Sequence, residues 1–360
     1  MKYLLILCER RTQDRLMQTP FGLLKDLDLR DHGTCARILS EDKHQLIEGL
    51  VFESCFDQYL LSLTEETGQT FQLVDVDTAV VSLPGQNAGV AAFVWARSRG
   101  NGLGRYLQAL NSRMPVWFVE FLEGEFVAIK CIDGELRGEK LPLQEVTSVT
   151  GRRTGSSFSK IQNEVRDRNR INQSFWGYLS ERHGSELGVN VVLSRIFLNW
   201  GIQPWFRHVW NVDRVFLSEN QLWHFEIKHK FPMDRGGRLS FGINDGELRL
   251  IQHLVECGLR SMHTLIVKPH WSKEVGSMYL LNDLKARNRA AVIGREMTKV
   301  DIEAALSGNA GRSGADTTYT GRGTVSFRSF PASSFHKFGR LGYDYREVAR
   351  RIYCSGSDVI

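Results

Sequence analysis

Between Val212 and Lys230 the chain reads V-D-R-V-F-L-S-E-N-Q-L-W-H-F-E-I-K-H-K, and its carboxylates and lysines fall at spacings that suit chemistry. Side chains alternate between the two faces of a strand. Glu226 and Lys228 therefore share one face, and Trp223, Phe225, Ile227 and Phe231 share the other. A four-residue loop, 218–221, pairs position 217 with 222, and the antiparallel register then sets 215 against 224 and Asp213 against Glu226. Directly opposed Cβ atoms lie about 5 Å apart. Two carboxylates held that close repel each other unless a positive charge sits between them. Mg²⁺ supplies such a charge, taking one or two carboxylates together with waters and phosphate oxygens. Lys228, on the same face, is placed to orient an attacking water or to stabilise developing charge. Metal-bound water is the better nucleophile near neutral pH, so the chemistry this cluster suits is phosphodiester hydrolysis.

A D/E-x-K triplet is common, and the chain has three: Glu41-Asp42-Lys43, Glu226-Ile227-Lys228 and Asp283-Leu284-Lys285. Only the second lies in an aromatic, β-branched strand with an Asp across a hairpin. The elements around it are a helical stretch over 173–200 broken near His183-Gly184, with Gly201 as its stop, and strand-like runs Val212–Leu217 and Leu222–Lys230. A helix from about Asp245 to Cys257 and a strand around His263–Val267 follow. His224 reads as a strand residue, since no second His or Cys stands at a zinc-like spacing.

Asp213, Glu226 and Lys228, in this element order, carry a resemblance to the PD-(D/E)xK, or restriction-endonuclease-like, nuclease superfamily over roughly residues 173–270. Val212 stands where the family name has Pro. The resemblance implies an α/β protein whose restriction-endonuclease-like core is a mixed sheet flanked by helices. It further implies a Mg²⁺-dependent endonuclease, with Mn²⁺ able to substitute. Asp213, Glu226 and the Ile227 carbonyl would hold the metal, and Lys228 would position or activate the water. The family's helical acid would be Glu186, in S-E-L-G-V-N-V-V-L, with Glu181 as the alternative. Arg249 and Gln252, on the helix after the motif, are weighed as contacts to the site or to phosphate. Genome defence, restriction and DNA processing are the roles the resemblance suggests.

The charge distribution bears on partners. Residues 1–150 hold 15 Lys and Arg against 21 Asp and Glu, a balance of −6, whereas residues 151–360 hold 31 against 20, a balance of +11. A basic portion attached to an acidic one is the footprint of a polyanion partner, and the resemblance implies that this is nucleic acid, DNA before RNA. The expected organisation is an acidic mixed α/β accessory domain over 1–150, a basic linker over 151–172, a nuclease core over 173–300 and a basic, Gly/Ser/aromatic-rich region over 301–360. Tyr319, Phe327, Phe330, Phe335 and Phe338, interleaved with arginines, suggest stacking against single strands or, equally, anchors for a long loop. Val116–Leu143 reads as a β-meander with turns at Glu123-Gly124 and Asp133-Gly134, whereas 43–63 fits either a helix or a strand. R-G-N-G-L-G-R at 99–105 lacks the G-K-[ST] of a phosphate loop.

The longest apolar stretch, Ala88–Ala96, is about half of what spans a bilayer, so no membrane is expected. Met1–Arg11 reads as a first strand and not a signal peptide, and six widely spaced cysteines fit a reducing cytoplasm. The acidic N-terminal domain would meet a protein partner or a ligand. Two-strand cutting would call for a homodimer. Two rival readings are a non-catalytic nucleic-acid-binding or assembly subunit on a degenerate nuclease fold, and a ligand-sensing regulator.

Overall fold

The computed structural model describes residues 16–85, 89–100, 102–151, 163–272, 274–314 and 323–357. The chain is mixed α/β and divides into two compact units woven from discontinuous segments. One comprises the described residues of Met1–Leu39, Asp75–Lys160 and His183–Asn211; the other comprises those of Ser40–Val74, Ile161–Arg182 and Val212–Ile360. The linear division expected at residues 150 and 172 therefore gives way to an interleaved one. Residues 40–74 belong with Asp213 and Glu226, not with the acidic remainder of the first 150 residues.

The unit holding the motif is built on α1 (His44–Leu61), β1 (Phe71–Val74), β2 (Arg214–Ser218) and β3 (Gln221–Lys230). These are followed by β4 (Arg238–Asn244), α2 (Asp245–Glu256), β5 (Arg260–Val267), β6 (Ala291–Glu296), β7 (Ser326–Pro331), β8 (His336–Arg340) and α3 (Tyr345–Ser357). Six strands form one sheet in the order β8-β6-β5-β3-β2-β1. Every pairing in it is antiparallel except β3 with β5, which α2 connects as a crossover. The β2–β3 register is Leu217↔Leu222, Val215↔His224 and Arg214↔Phe225, as counted, but the ladder continues to Ser218↔Gln221, so the turn is the two residues Glu219-Asn220 and not the four expected, with Glu219 at positive φ (50°).

The alternation along β3 sorts its neighbours. Phe225 and Ile227 enter a core with Phe52, Phe56 and Leu60 of α1, Phe216 of β2, and Val348, Ala349 and Ile352 of α3. Full burial of each such side chain contributes about 1.5–3 kcal/mol. On the opposite side, Leu248 and Ile251 of α2 pack with Ile243, Met297, Ile302 and Phe330. The helix α1 is buried around most of its circumference, from Ile47 and Glu48 to Tyr59 and Leu60, which is why its apolar residues show no single stripe.

In the other unit, the sheet runs 135–142, 125–132, 116–122, 90–96, 76–82, 209–212. The meander at Val116–Leu122, Glu125–Ile132 and Glu135–Pro142 has the two expected turns, with positive φ at Glu123, Gly124, Asp133 and Gly134. Gly201 does not end its helix, which continues through Ile202. A Cβ there would lie 2.9 Å from Leu143 Cδ2, so the glycine serves close packing. Met1–Arg11 and most of the basic segment 151–162 lie outside the described residues. The remainder of that expected linker is structured: Asp167 caps Arg168–Ser174 by accepting from the Asn169 and Arg170 amides. Phe327, Phe330 and Phe338 are buried core residues in β7 and β8, so the anchor reading holds for them; Tyr319 lies outside the described residues.

Candidate active site

Asp213 stands one residue before β2 begins, where the ladder to β3 has stopped at Arg214↔Phe225. Its carboxylate takes over where the strand leaves off: Oδ2 accepts from the Ile227 amide at 2.9 Å and from Lys228 Nζ at 2.8 Å. Lys228 Nζ also lies 2.6 Å from Glu226 Oε1. One ammonium thus bridges the two carboxylates that the hairpin register brings together. The N–H and C=O of a strand residue point the same way, so the Ile227 carbonyl faces the side of Asp213 as well. Glu226 is only 3% exposed and Asp213 only 7%, so their charges cannot be left to solvent.

Electrostatics follow from this crowding. Burial and the Glu226 charge raise the Asp213 carboxyl above its ordinary range, against the pull of Lys228. For Glu226 burial also acts upward, but the Lys228 ammonium and His224 outweigh it and hold the carboxylate ionised. Burial likewise acts to deprotonate Lys228, yet Asp213, Glu226, Glu247 and Glu53 hold it well above the usual lysine value. Lys228 is therefore a cation at neutral pH, suited to positioning and charge stabilisation and not to removing a proton.

Two acids that the sequence reading did not select stand near this group. Glu53, on α1, is pushed up to about 7 by burial and by the Asp213 charge, with Arg214 opposing. Arg214 projects toward α1, donating to Asp57 Oδ1 at 2.8 Å and to Glu53 Oε2 at 3.4 Å. Glu247, in the first turn of α2, is raised by burial and by Glu226, and its Oε1 lies 3.3 Å from His263 Nδ1. His224 is fully buried: Nδ1 shares a hydrogen bond with Ser261 Oγ at 2.9 Å, and Nε2 lies 3.3 Å from Glu226 Oε2 without hydrogen-bond alignment.

The structure does not bring Glu186 to this group. It is exposed in the short turn Gly184–Glu186 of the other unit. Glu181 is also exposed, and Arg249 lies on the exposed side of α2. The other two D/E-x-K triplets serve structure, with Glu41 pairing to Arg166 and Asp283 capping Leu284–Arg289. Glu53 carried a faint signal: with Glu48 and Asp57 it makes an otherwise apolar helix unexpectedly acidic.

Among the described residues, no cluster of three or more His, Cys, Asp or Glu side chains is arranged to cage a metal unaided. Two buried carboxylates with a backbone carbonyl beside them still form a hard-oxygen donor set of the kind Mg²⁺ takes with waters and phosphate. Glu226 Oε2 faces His224 Nε2 at 3.3 Å, and Oε1 faces Lys228 Nζ at 2.6 Å. Compared with protein-family models, curated proteins and solved structures, the chain shows no match.

Proposed function

We propose that the protein is a metal-dependent nuclease that hydrolyses phosphodiester bonds, in DNA before RNA, on a restriction-endonuclease-like core. The observation that carries this reading is the Lys228 ammonium bridging Asp213 and Glu226 beside the Ile227 carbonyl. The element order supports it: an acid on helix α1, Asp before β2, Glu-x-Lys on β3, then helix α2 and parallel strand β5. In that order Glu53, not Glu186, takes the place of the helical acid.

Asp213, Glu226 and the Ile227 carbonyl would hold Mg²⁺, or Mn²⁺ in its place. The ion, when bound, lowers the pKa of water and offsets charge on the phosphate. Lys228 releases its carboxylates and turns its hydrogen-bond donors toward the attacking water or a non-bridging phosphate oxygen. Glu226 stays ionised throughout, and Glu53 adds a further negative group that draws the cation in. Among the described residues, no helix is long and apolar enough to cross a membrane.

The test compares wild type with Glu226→Ala on supercoiled and linear DNA, with and without Mg²⁺, beside a parallel RNA sample. Mg²⁺-dependent nicking or degradation, absent in the variant, is the expected result. Equal cutting by both proteins would place the activity elsewhere. Intact DNA and RNA with the wild type would favour the binding-subunit alternative.

A further inference from the structure

The parallel strands β3 and β5 end side by side, with the Lys268 amide donating to the Lys230 carbonyl at 2.8 Å. Clefts at the carboxyl ends of parallel strands are where α/β sheets bind ligands. Here a cleft of about 800 Å³ opens, with Lys228 of the candidate site on one wall. Its other cations are Lys230, Lys268 and Arg170, and among the described residues no Asp or Glu lines it. Arg170 is already matched, gripping the buried Glu48 with two hydrogen bonds of 2.7 and 2.9 Å. Lys230 donates to the Gly242 carbonyl. Lys268 differs from both: it is 9% exposed, and no described residue offers its ammonium a hydrogen bond or ion pair. The Glu48 carboxylate favours its charge, but that acid is already held by Arg170, whose guanidinium opposes the ammonium, so an anion in the cleft would complete the lysine. Burial brings it down to about 8, so an incoming anion would hold the charge.

The cleft also carries two aromatic rings that the protein leaves bare. Trp271 is 50% exposed and Phe231 46%. Trp271 follows two tethered positions: the Lys268 amide bonds Lys230, and the His270 carbonyl accepts from Tyr279 Oη at 2.6 Å. A duplex offers base edges and phosphates but no free base faces, whereas an unpaired strand offers both.

Resting on the nuclease reading, we propose that this cleft takes an unpaired DNA strand. A backbone phosphate sits on Lys268 and a base stacks on Trp271, so the enzyme acts at overhangs, flaps or single strands and not within continuous duplex.

Binding is measured by fluorescence anisotropy in EDTA, where no cleavage occurs, with fluorescein-labelled single-stranded, overhang-bearing and blunt duplex oligonucleotides. Wild type should bind the first two at least about 10-fold tighter than the blunt duplex. Trp271→Ala should lose about 5- to 100-fold on those two and little on the blunt duplex, and Trp271→Phe should recover most of the loss. Lys268→Met should lower the salt slope by about one phosphate contact. Equal or tighter blunt-duplex binding, no binding to any probe, an equal Trp271→Ala loss on all probes, or an unchanged Lys268→Met slope would overturn the proposal. Binding as expected by a protein that never cuts would sink the nuclease reading and leave this one standing. A cutting enzyme that prefers blunt duplex would do the reverse.

Discussion

Glu53 offers the sharpest test of the electrostatics around Asp213, because removing its charge should make the metal-free protein more stable. Its carboxyl ionises near 4.5 in an unfolded chain and near 7 in the fold, raised first by burial and then by Asp213. Between those values the folded state binds more protons than the unfolded one, so stability falls as pH rises. The penalty is absent below the unfolded value and complete above the folded one. At about 1.4 kcal/mol per pH unit between the two midpoints, it reaches about 3 kcal/mol at pH 8. Glu53→Gln keeps an acceptor for Arg214 and removes the charge, so it should stabilise by about 3 kcal/mol at pH 8 and by almost nothing at pH 4.5. Urea unfolding of both proteins in EDTA across that range measures the difference, and shared titrations largely cancel. Adding Mg²⁺ at pH 8 should shrink the gain, since a bound cation offsets the same excess of negative charge. A gain that does not change with pH, or a loss of stability at pH 8, would refute the reasoning.

Other expectations follow from the same geometry. Lys228→Met leaves two buried carboxylates without their shared cation and should cost about 3–5 kcal/mol in EDTA; Mg²⁺ should raise the thermal midpoint of this variant more than that of the wild type. Asp213→Asn should fold, since burial already disfavours the Asp213 charge, while plasmid nicking falls at least about 100-fold. Arg170→Met strands the fully buried Glu48 and should cost about 3–5 kcal/mol by denaturant unfolding, most of it regained in the double variant with Glu48→Gln. Gly294→Ala drives a methyl into the Phe338 ring in the core and should lose about 1–3 kcal/mol by the same measurement.

The parts of this site that were legible from sequence are those set by local geometry. A short loop between two apolar, alternating strands determines which residues oppose, and Asp213, Glu226 and Lys228 follow from counting along it. The turns at Glu123-Gly124 and Asp133-Gly134 were legible for the same reason. Glu53 was not, because its approach to Asp213 spans 160 residues of chain and its helix, buried on several sides, has no clean apolar stripe. Glu186 stands on the helical stretch just upstream of the motif in sequence, but the chain is woven so that 183–211 falls in the other unit while 40–74 joins the motif. Aromatic residues among arginines at 327–338 turned out to be packing, whereas the bare rings, Phe231 and Trp271, lie just past the ends of strands. Composition reports which rings exist, and only the fold decides which ones meet water.

The pairing of β1 with β2 sets a schedule for the molecule's synthesis. Val74 and Val215 are partners on one ladder, so the chain leaves the sheet and returns to the same rung about 140 residues later. Closing a loop of that length costs about 4 kcal/mol of chain entropy beyond the fixed term, unless structure forming within the loop draws its ends together. Glu53 emerges from the ribosome 173 residues ahead of Glu226. At about 5–20 residues per second, the acid on α1 waits roughly 9–35 s for the strand that completes its cluster. The cluster is thus completed late: the central strand of the sheet and the last of its acids and lysines arrive only after most of the polypeptide has been made.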